Sequence, residues 1–186
     1  MDVSHQKNPD GSIVHYKAYL MAKGFHQHPR VDYYETFSHI VKVTTIWLVI
    51  YLNLNNNWPI CQMNVNNAKL HGTLTKEVYM MQRPRFINDT YFSHVCQLCK
   101  AIYKLKQVPH TWYSELKEFL FFFSNSYLDQ SLFIYNVNGI LIHFLVYVDD
   151  LLVIGNYDKL MRQFSFALSQ WFFLKDLVPL YYFLGV

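Results

Sequence analysis

The chain has 186 residues, 52% of them hydrophobic and 16% charged, with 15 Phe and 15 Tyr. This excludes a disordered or collagen-like chain and gives one packed domain, or two small interleaved subdomains, with apolar surface to spare for another domain or subunit. The net charge is only +3, but residues 69–118 hold eight Lys/Arg against four acids, while residues 119–186 are acid-rich and include Asp149 and Asp150. A basic middle beside an acidic pair suits a protein that grips phosphates and holds cations, although solvated surfaces also carry such asymmetry.

Asn8-Pro9-Asp10-Gly11 is a turn, and Ile13 to Met21 alternates as a strand, stopped by Ala22-Lys23-Gly24 before a polar loop to about Asp32. Thr44 and Thr45 are N-cap candidates for an apolar helix over Ile46 to Asn55, closed by Asn55-Asn56-Asn57. Pro59 to Val65 is short, apolar and uninterrupted, as a buried strand is, and Val78 to Met81 is another, ending before Pro84. Pro109 opens a helix to about Phe123, with Trp112, Leu116, Phe119, Leu120 and Phe123 at helical spacing and Glu115 and Glu118 facing out. Plain core packing accounts for that stripe. Leu132 to Tyr135 and Ile140 to Phe144 flank the hairpin signal Asn136-Val137-Asn138-Gly139. A second hairpin runs from Phe144 to Val148, turns at Asp149-Asp150 and returns over Leu151 to Ile154. Asp158 is placed to cap a last helix through about Trp171.

The charge-free segments Val43 to Ala68 and Gln130 to Val148 contain Asn clusters and an Asn-Gly turn, which do not belong in a membrane span. The N-terminal MDVSHQKNPDGS lacks the apolar core of a signal peptide, so an intracellular, cytoplasmic setting is expected. Three cysteines (Cys61, Cys96, Cys99) make a poor disulfide framework and suit a reducing compartment. Cys96 and Cys99 have metal-like spacing near His94, but no second pair follows, so a buried strand is the better reading.

Tyr147-Val148-Asp149-Asp150 is the sharpest local feature: adjacent carboxylates between two apolar strands, at a hairpin turn. Asp is common in turns, but a divalent cation would relieve the repulsion, and hard oxygen ligands suit magnesium. An ordered series of motifs surrounds it. Tyr16-Lys17-Ala18, Ala22-Lys23-Gly24-Phe25, Gln27, Asp32-Tyr33 and Glu35-Thr36-Phe37-Ser38 come first. Asn57-Trp58-Pro59, Val65-Asn66-Asn67-Ala68, Leu70-His71-Gly72 and Glu77-Val78-Tyr79-Met80 follow, then Leu105-Lys106-Gln107, Pro109, Trp112-Tyr113 and Ser131-Leu132-Phe133. The series closes with Lys175-Asp176-Leu177, Pro179-Leu180 and Tyr182-Phe183-Leu184-Gly185.

Over roughly residues 7–186 this series resembles the reverse transcriptase of copia-type long-terminal-repeat retrotransposons. The resemblance implies an α+β right-hand polymerase: fingers over 1–42 and 72–109, and a palm over 43–71 and 110–186 with an antiparallel sheet backed by helices, the thumb being absent. It implies an RNA-directed DNA polymerase acting on an RNA template, a DNA primer and deoxynucleoside triphosphates, with two Mg²⁺ ions. It makes Asp149 and Asp150 the metal-binding pair, offers the Val65 carbonyl to a metal and sets Tyr147 against the primer end. Lys17, Asn67, Lys69 and Gln107 fall on the incoming-nucleotide side, and Lys100, Lys104 and Lys106, interleaved with Tyr103, form a phosphate-contacting surface or an ordinary solvated one. Intact elements work inside virus-like particles and carry thumb, RNase H and integrase regions in the same polyprotein.

The chain departs from the family where it matters most. The family has Asp immediately before Val65, whereas this chain has Asn64, which is expected beside the acidic hairpin with its amide near the Asp149 carboxylate. Losing one anion of three predicts a rate lower by several orders of magnitude. Lys69 replaces an aromatic residue positioned as the gate against the ribose 2′ hydroxyl. Tyr19, Trp47 and His110 stand in place of Arg, and Lys104 and Val178 in place of Gly. The stretch from Phe119 to Ser131 is about two residues short, lacking a Gly-Phe. Together these predict a copy damaged in catalysis, the alternative being a non-catalytic nucleic-acid-binding remnant of the polyprotein.

Overall fold

The computed structural model describes residues 2–178. In chain order they form β1 (Asp2–Lys7), β2 (Ile13–Tyr19), α1 (Val43–Asn56), β3 (Ile60–Val65), β4 (Thr73–Met81) and β5 (Val95–Lys100). There follow α2 (Val108–Phe119), β6 (Ser124–Asn125), β7 (Leu132–Val137), β8 (Ile140–Tyr147), β9 (Asp150–Gly155), α3 (Asp158–Trp171) and β10 (Leu174–Val178). Mixed helix and antiparallel sheet make this an α+β chain, as expected. None of the described helices is long and apolar enough to cross a membrane. The chain divides into two compact units, one over residues up to Phe37 and Lys69–Trp112, the other over Ser38–Ala68 and from Tyr113 on.

In the first unit β1 and β2 form an antiparallel hairpin closed by the Asn8–Gly11 turn, where the Gly11 amide donates to the Asn8 carbonyl at 2.9 Å and Gly11 has φ +86°. β4 and β5 make a second two-stranded ribbon. Its core is Val78, Ala101, Ile102, Leu105 and Val108, with Ala22, Leu74 and Leu98 packed against them. Two glycines permit close backbone approach. A Cβ on Gly24 would lie 1.8 Å from the Lys104 carbonyl oxygen, and one on Gly72 2.3 Å from the Thr111 hydroxyl.

The second unit is built on one antiparallel sheet in the order β10-β3-β9-β8-β7-β6. Its central strands are apolar on both faces because helices cover both. On one face Leu132, Leu145, Leu152 and Ile154 pack against Val41, Ile46, Val49 and Ile50 from α1 and its approach. On the other, Phe144 meets Phe164 of α3 edge-on at 5.4 Å. The β7–β8 turn has the sign pattern of a type I′ turn, Asn138 at φ +51° and Gly139 at φ +78°, which matches the twist of paired strands.

Several expectations need correction. Neither Thr44 nor Thr45 caps α1; the N-cap is Lys42, without a side-chain cap bond. The cap comes from a distant carboxylate: Asp129 accepts the Lys42 amide at 2.9 Å and the Thr45 hydroxyl at 2.7 Å. α2 starts one residue before Pro109 and stops at Phe119, not Phe123, and Glu115 on it is half-buried. Asp158 is the first residue of α3, bonded to Arg162 at 2.7 Å, and Tyr157 is the N-cap. Cys96 and Cys99 do lie on a strand, but exposed, because among the described residues β4 and β5 pair with no third strand. Three residues apart on a strand, they point to opposite faces and cannot grip one ion.

Candidate active site

β3, β9 and β8 lie side by side in the sheet of the second unit, and their register decides the site. Asn64 pairs with Asp150, and Asp150 pairs with Tyr147. Residues directly opposite in an antiparallel ladder project to the same face. Asn64, Asp150 and Tyr147 therefore share a face and form its polar end, next to the apolar patch under α1. Tyr147 is half-buried and packs on that patch.

The hairpin turn differs from expectation by one residue. Tyr147 pairs with Asp150, so the two-residue loop is Val148-Asp149, and Asp150 is the first residue of β9. Val148 takes φ +53°, a left-handed conformation that costs a β-branched residue about 1–2 kcal/mol. The Val65 amide donates to the Asp149 carbonyl at 2.8 Å, tying the tip of the hairpin to the end of β3. Val65 itself is buried.

The decisive contact is at position 64. The Asn64 amide Nδ2 donates to Asp150 Oδ1 at 2.8 Å, so its hydrogen-bonded carboxylate is Asp150 rather than Asp149. Asp149 and Asp150 are both half-buried. Among the described residues no group of three His, Cys, Asp or Glu side chains is arranged to hold a metal ion.

The profile of a family described as reverse transcriptase (RNA-dependent DNA polymerase) matches residues 2–186. The chain belongs to the reverse transcriptase family. It is 49% identical over 181 residues to the retrovirus-related Pol polyprotein from transposon RE2 of Arabidopsis thaliana, and 48% identical over the same length to that from transposon RE1. It is 35% identical over 185 residues to the Pol polyprotein from transposon TNT 1-94 of Nicotiana tabacum. These copia-type relatives match 96%, 96% and 97% of this chain, which spans only 12%, 12% and 14% of their length. No solved structure matches it.

The remaining expected residues of this reverse transcriptase domain fall in both units. Asn67 is exposed just after β3, in a left-handed conformation at φ +53°. Lys17, in the first unit, pairs through its backbone with Ser4, and its side chain lies outside the described residues. Lys69 is half-buried in the short helical turn Ala68–Leu70. Gln107 is buried, accepting from Gln27 Nε2 at 3.0 Å, while Gln27 Oε1 accepts the Lys106 amide at 2.8 Å. Gln27 stood in the motif series without a role; its partners assign it the orienting of Gln107. Lys100, Lys104 and Lys106 are exposed, and Lys100 Nζ donates to the His71 carbonyl at 3.1 Å.

Two departures from the family gain a physical meaning. Lys104, which the resemblance sets in place of Gly, sits at φ +70°, where only glycine is free of strain. Tyr19, which the resemblance sets in place of Arg, packs edge-on against Tyr103 at 5.2 Å. The side chain of Val178 and the closing motif over 179–185 lie outside the described residues.

Proposed function

We propose that the chain is the fingers and palm of an RNA-directed DNA polymerase domain from a copia-type retrotransposon polyprotein, and that this copy has lost most of its catalytic power. On this reading the unit with β1, β2, β4 and β5 is the fingers, and the unit with the six-stranded sheet is the palm. The likeness to retrotransposon Pol polyproteins supports an intracellular setting and nucleic-acid substrates.

The observation that carries the reading is the 2.8 Å bond from Asn64 to Asp150. Asp149, Asp150 and the Val65 carbonyl are hard oxygen donors of the kind magnesium takes. Asn64 offers Asp150 an N–H donor, which occupies an oxygen a cation would use and adds no negative charge. The donor set fits magnesium but is one anion short of the three expected for an ion pair. When bound, two magnesium ions would activate the primer 3′ oxygen and stabilise charge on the leaving pyrophosphate. Tyr147 would lie against the primer end. Lys17, Asn67, Lys69 and Gln107 would face the incoming nucleotide, with Lys69 where an aromatic gate is expected, and exposed Lys100, Lys104 and Lys106 would contact phosphates. Those lysines also support the second reading, a remnant that binds nucleic acid without copying it.

The test is primer extension on an RNA template with magnesium, comparing the chain with Asn64→Asp. Extension by the substituted protein alone supports the reading. Comparable rates from both would refute the loss of catalysis.

A further inference from the structure

A cleft of about 690 Å³ opens in the second unit between α2 and α3, within the size range of small-molecule sites. Tyr135 of β7 and Ile142 of β8 line it, with the rings of Phe119, Phe123, Phe164 and Trp171 packed together as one aromatic wall. Phe119 stands 5.5 Å from Phe164 and 6.0 Å from Trp171 between ring centroids, and Phe123 stands 5.1 Å from Phe164. The aromatic rim is open to solvent, with Phe121 at 70%, Phe122 at 73% and Trp171 at 70% exposure.

Among the described residues, the charged ones lining the cleft are Glu115 and Glu118, both on α2, and no Lys, Arg or His lines it. Ring faces carry negative quadrupole potential, and a carboxylate at the rim adds to it. A cation with an apolar aromatic body complements both the wall and the rim, whereas an anion of the same size matches only the wall. Ile142 belongs to the sheet face opposite the one shared by Asn64 and Asp150, because side chains alternate along β8 and β9. The cleft is thus separate from the polymerase reading and does not depend on it.

We propose that this cleft binds a small organic cation with a multi-ring aromatic body, its rings laid on the aromatic surface that Phe119, Phe164 and Trp171 form together and its charge toward Glu115 and Glu118. The test is calorimetric titration of the whole chain with the acridinium dye proflavine and, in parallel, with an anthracene sulfonate of equal ring size. Proflavine is expected to bind at one site, with the sulfonate at least about tenfold weaker. The double substitution Glu115→Gln, Glu118→Gln should weaken proflavine about tenfold. Ala167→Trp, at an exposed cleft-lining position on α3, should fill the cleft and abolish binding while the protein keeps a cooperative thermal transition. Equal affinity for the two dyes, unchanged binding by Ala167→Trp, or no binding at all would overturn the proposal. So would loss of proflavine binding in a longer polyprotein chain, which would make the cleft the seat of a protein segment.

Discussion

Replacing Asn64 by Asp should destabilise the protein without metal, and metal should restore most of that loss. The bond to Asp150 is 2.8 Å long, and both residues are half-buried. Two carboxylates about 4 Å apart repel by about 1 kcal/mol in water and about 4 kcal/mol near a protein surface, so about 2 kcal/mol applies here. The lost hydrogen bond to a charged acceptor adds about 1 kcal/mol. Urea denaturation in EDTA should therefore show Asn64→Asp about 3 kcal/mol less stable than the unaltered chain. Magnesium at a hundredfold excess over its Kd should return about 2.7 kcal/mol of that to Asn64→Asp and much less to the unaltered chain. Equal stability of the two proteins in EDTA, or equal gains from magnesium, would show that position 64 does not complete an anionic cage.

Three further outcomes follow from the packing. Asp129→Ala should cost about 3 kcal/mol in urea denaturation, because the Lys42 and Ser131 amides and the Thr45 hydroxyl all lose their acceptor. Burial pushes the Asp129 carboxyl up, but those hydrogen bonds and the Lys42 charge outweigh it and hold it below the usual carboxylate value of 3.8. Its contribution is thus complete above that value and is lost as pH falls through the lowered folded one, a loss that Asp129→Ala should abolish. Burial pushes the His143 imidazole below its ordinary 6.5, and its Nδ1 finds no hydrogen-bond partner among the described residues. The unfolded chain therefore takes up a proton first as pH falls below about 6.5, so thermal stability should decline there, and His143→Phe should flatten that decline. Lys104→Gly should raise stability by about 0.5–1 kcal/mol in the same denaturation assay, relief of strain at φ +70° exceeding the added entropy of the unfolded chain.

The elements most legible in the sequence were those with a local physical signature. Asn138-Gly139 supplied two residues tolerant of positive φ, and the hairpin formed there. Helical spacing marked α2, and an unbroken apolar run marked β3. What failed was information held by partners far along the chain. The end of α1 looked capped by its own threonines, yet the acceptor is Asp129, more than eighty residues on. β1 and β10 carried no pattern of their own; β1 exists by pairing with β2, and β10 by pairing with β3. At the site, the motif series singled out Asn64, Asp149 and Asp150 as belonging together. Which carboxylate Asn64 touches depended on a two-residue turn that begins at Val148, a residue whose branched side chain argues against the φ it adopts.

Manganese is spin-active, so the ions held by each protein can be counted as it is added. The titration would use electron paramagnetic resonance, with a primed RNA template and a matching nucleotide present. Two tightly held ions are expected in Asn64→Asp, with the second ion lost or at least about tenfold weaker in the unaltered chain. Two ions held equally tightly by both proteins would contradict that expectation.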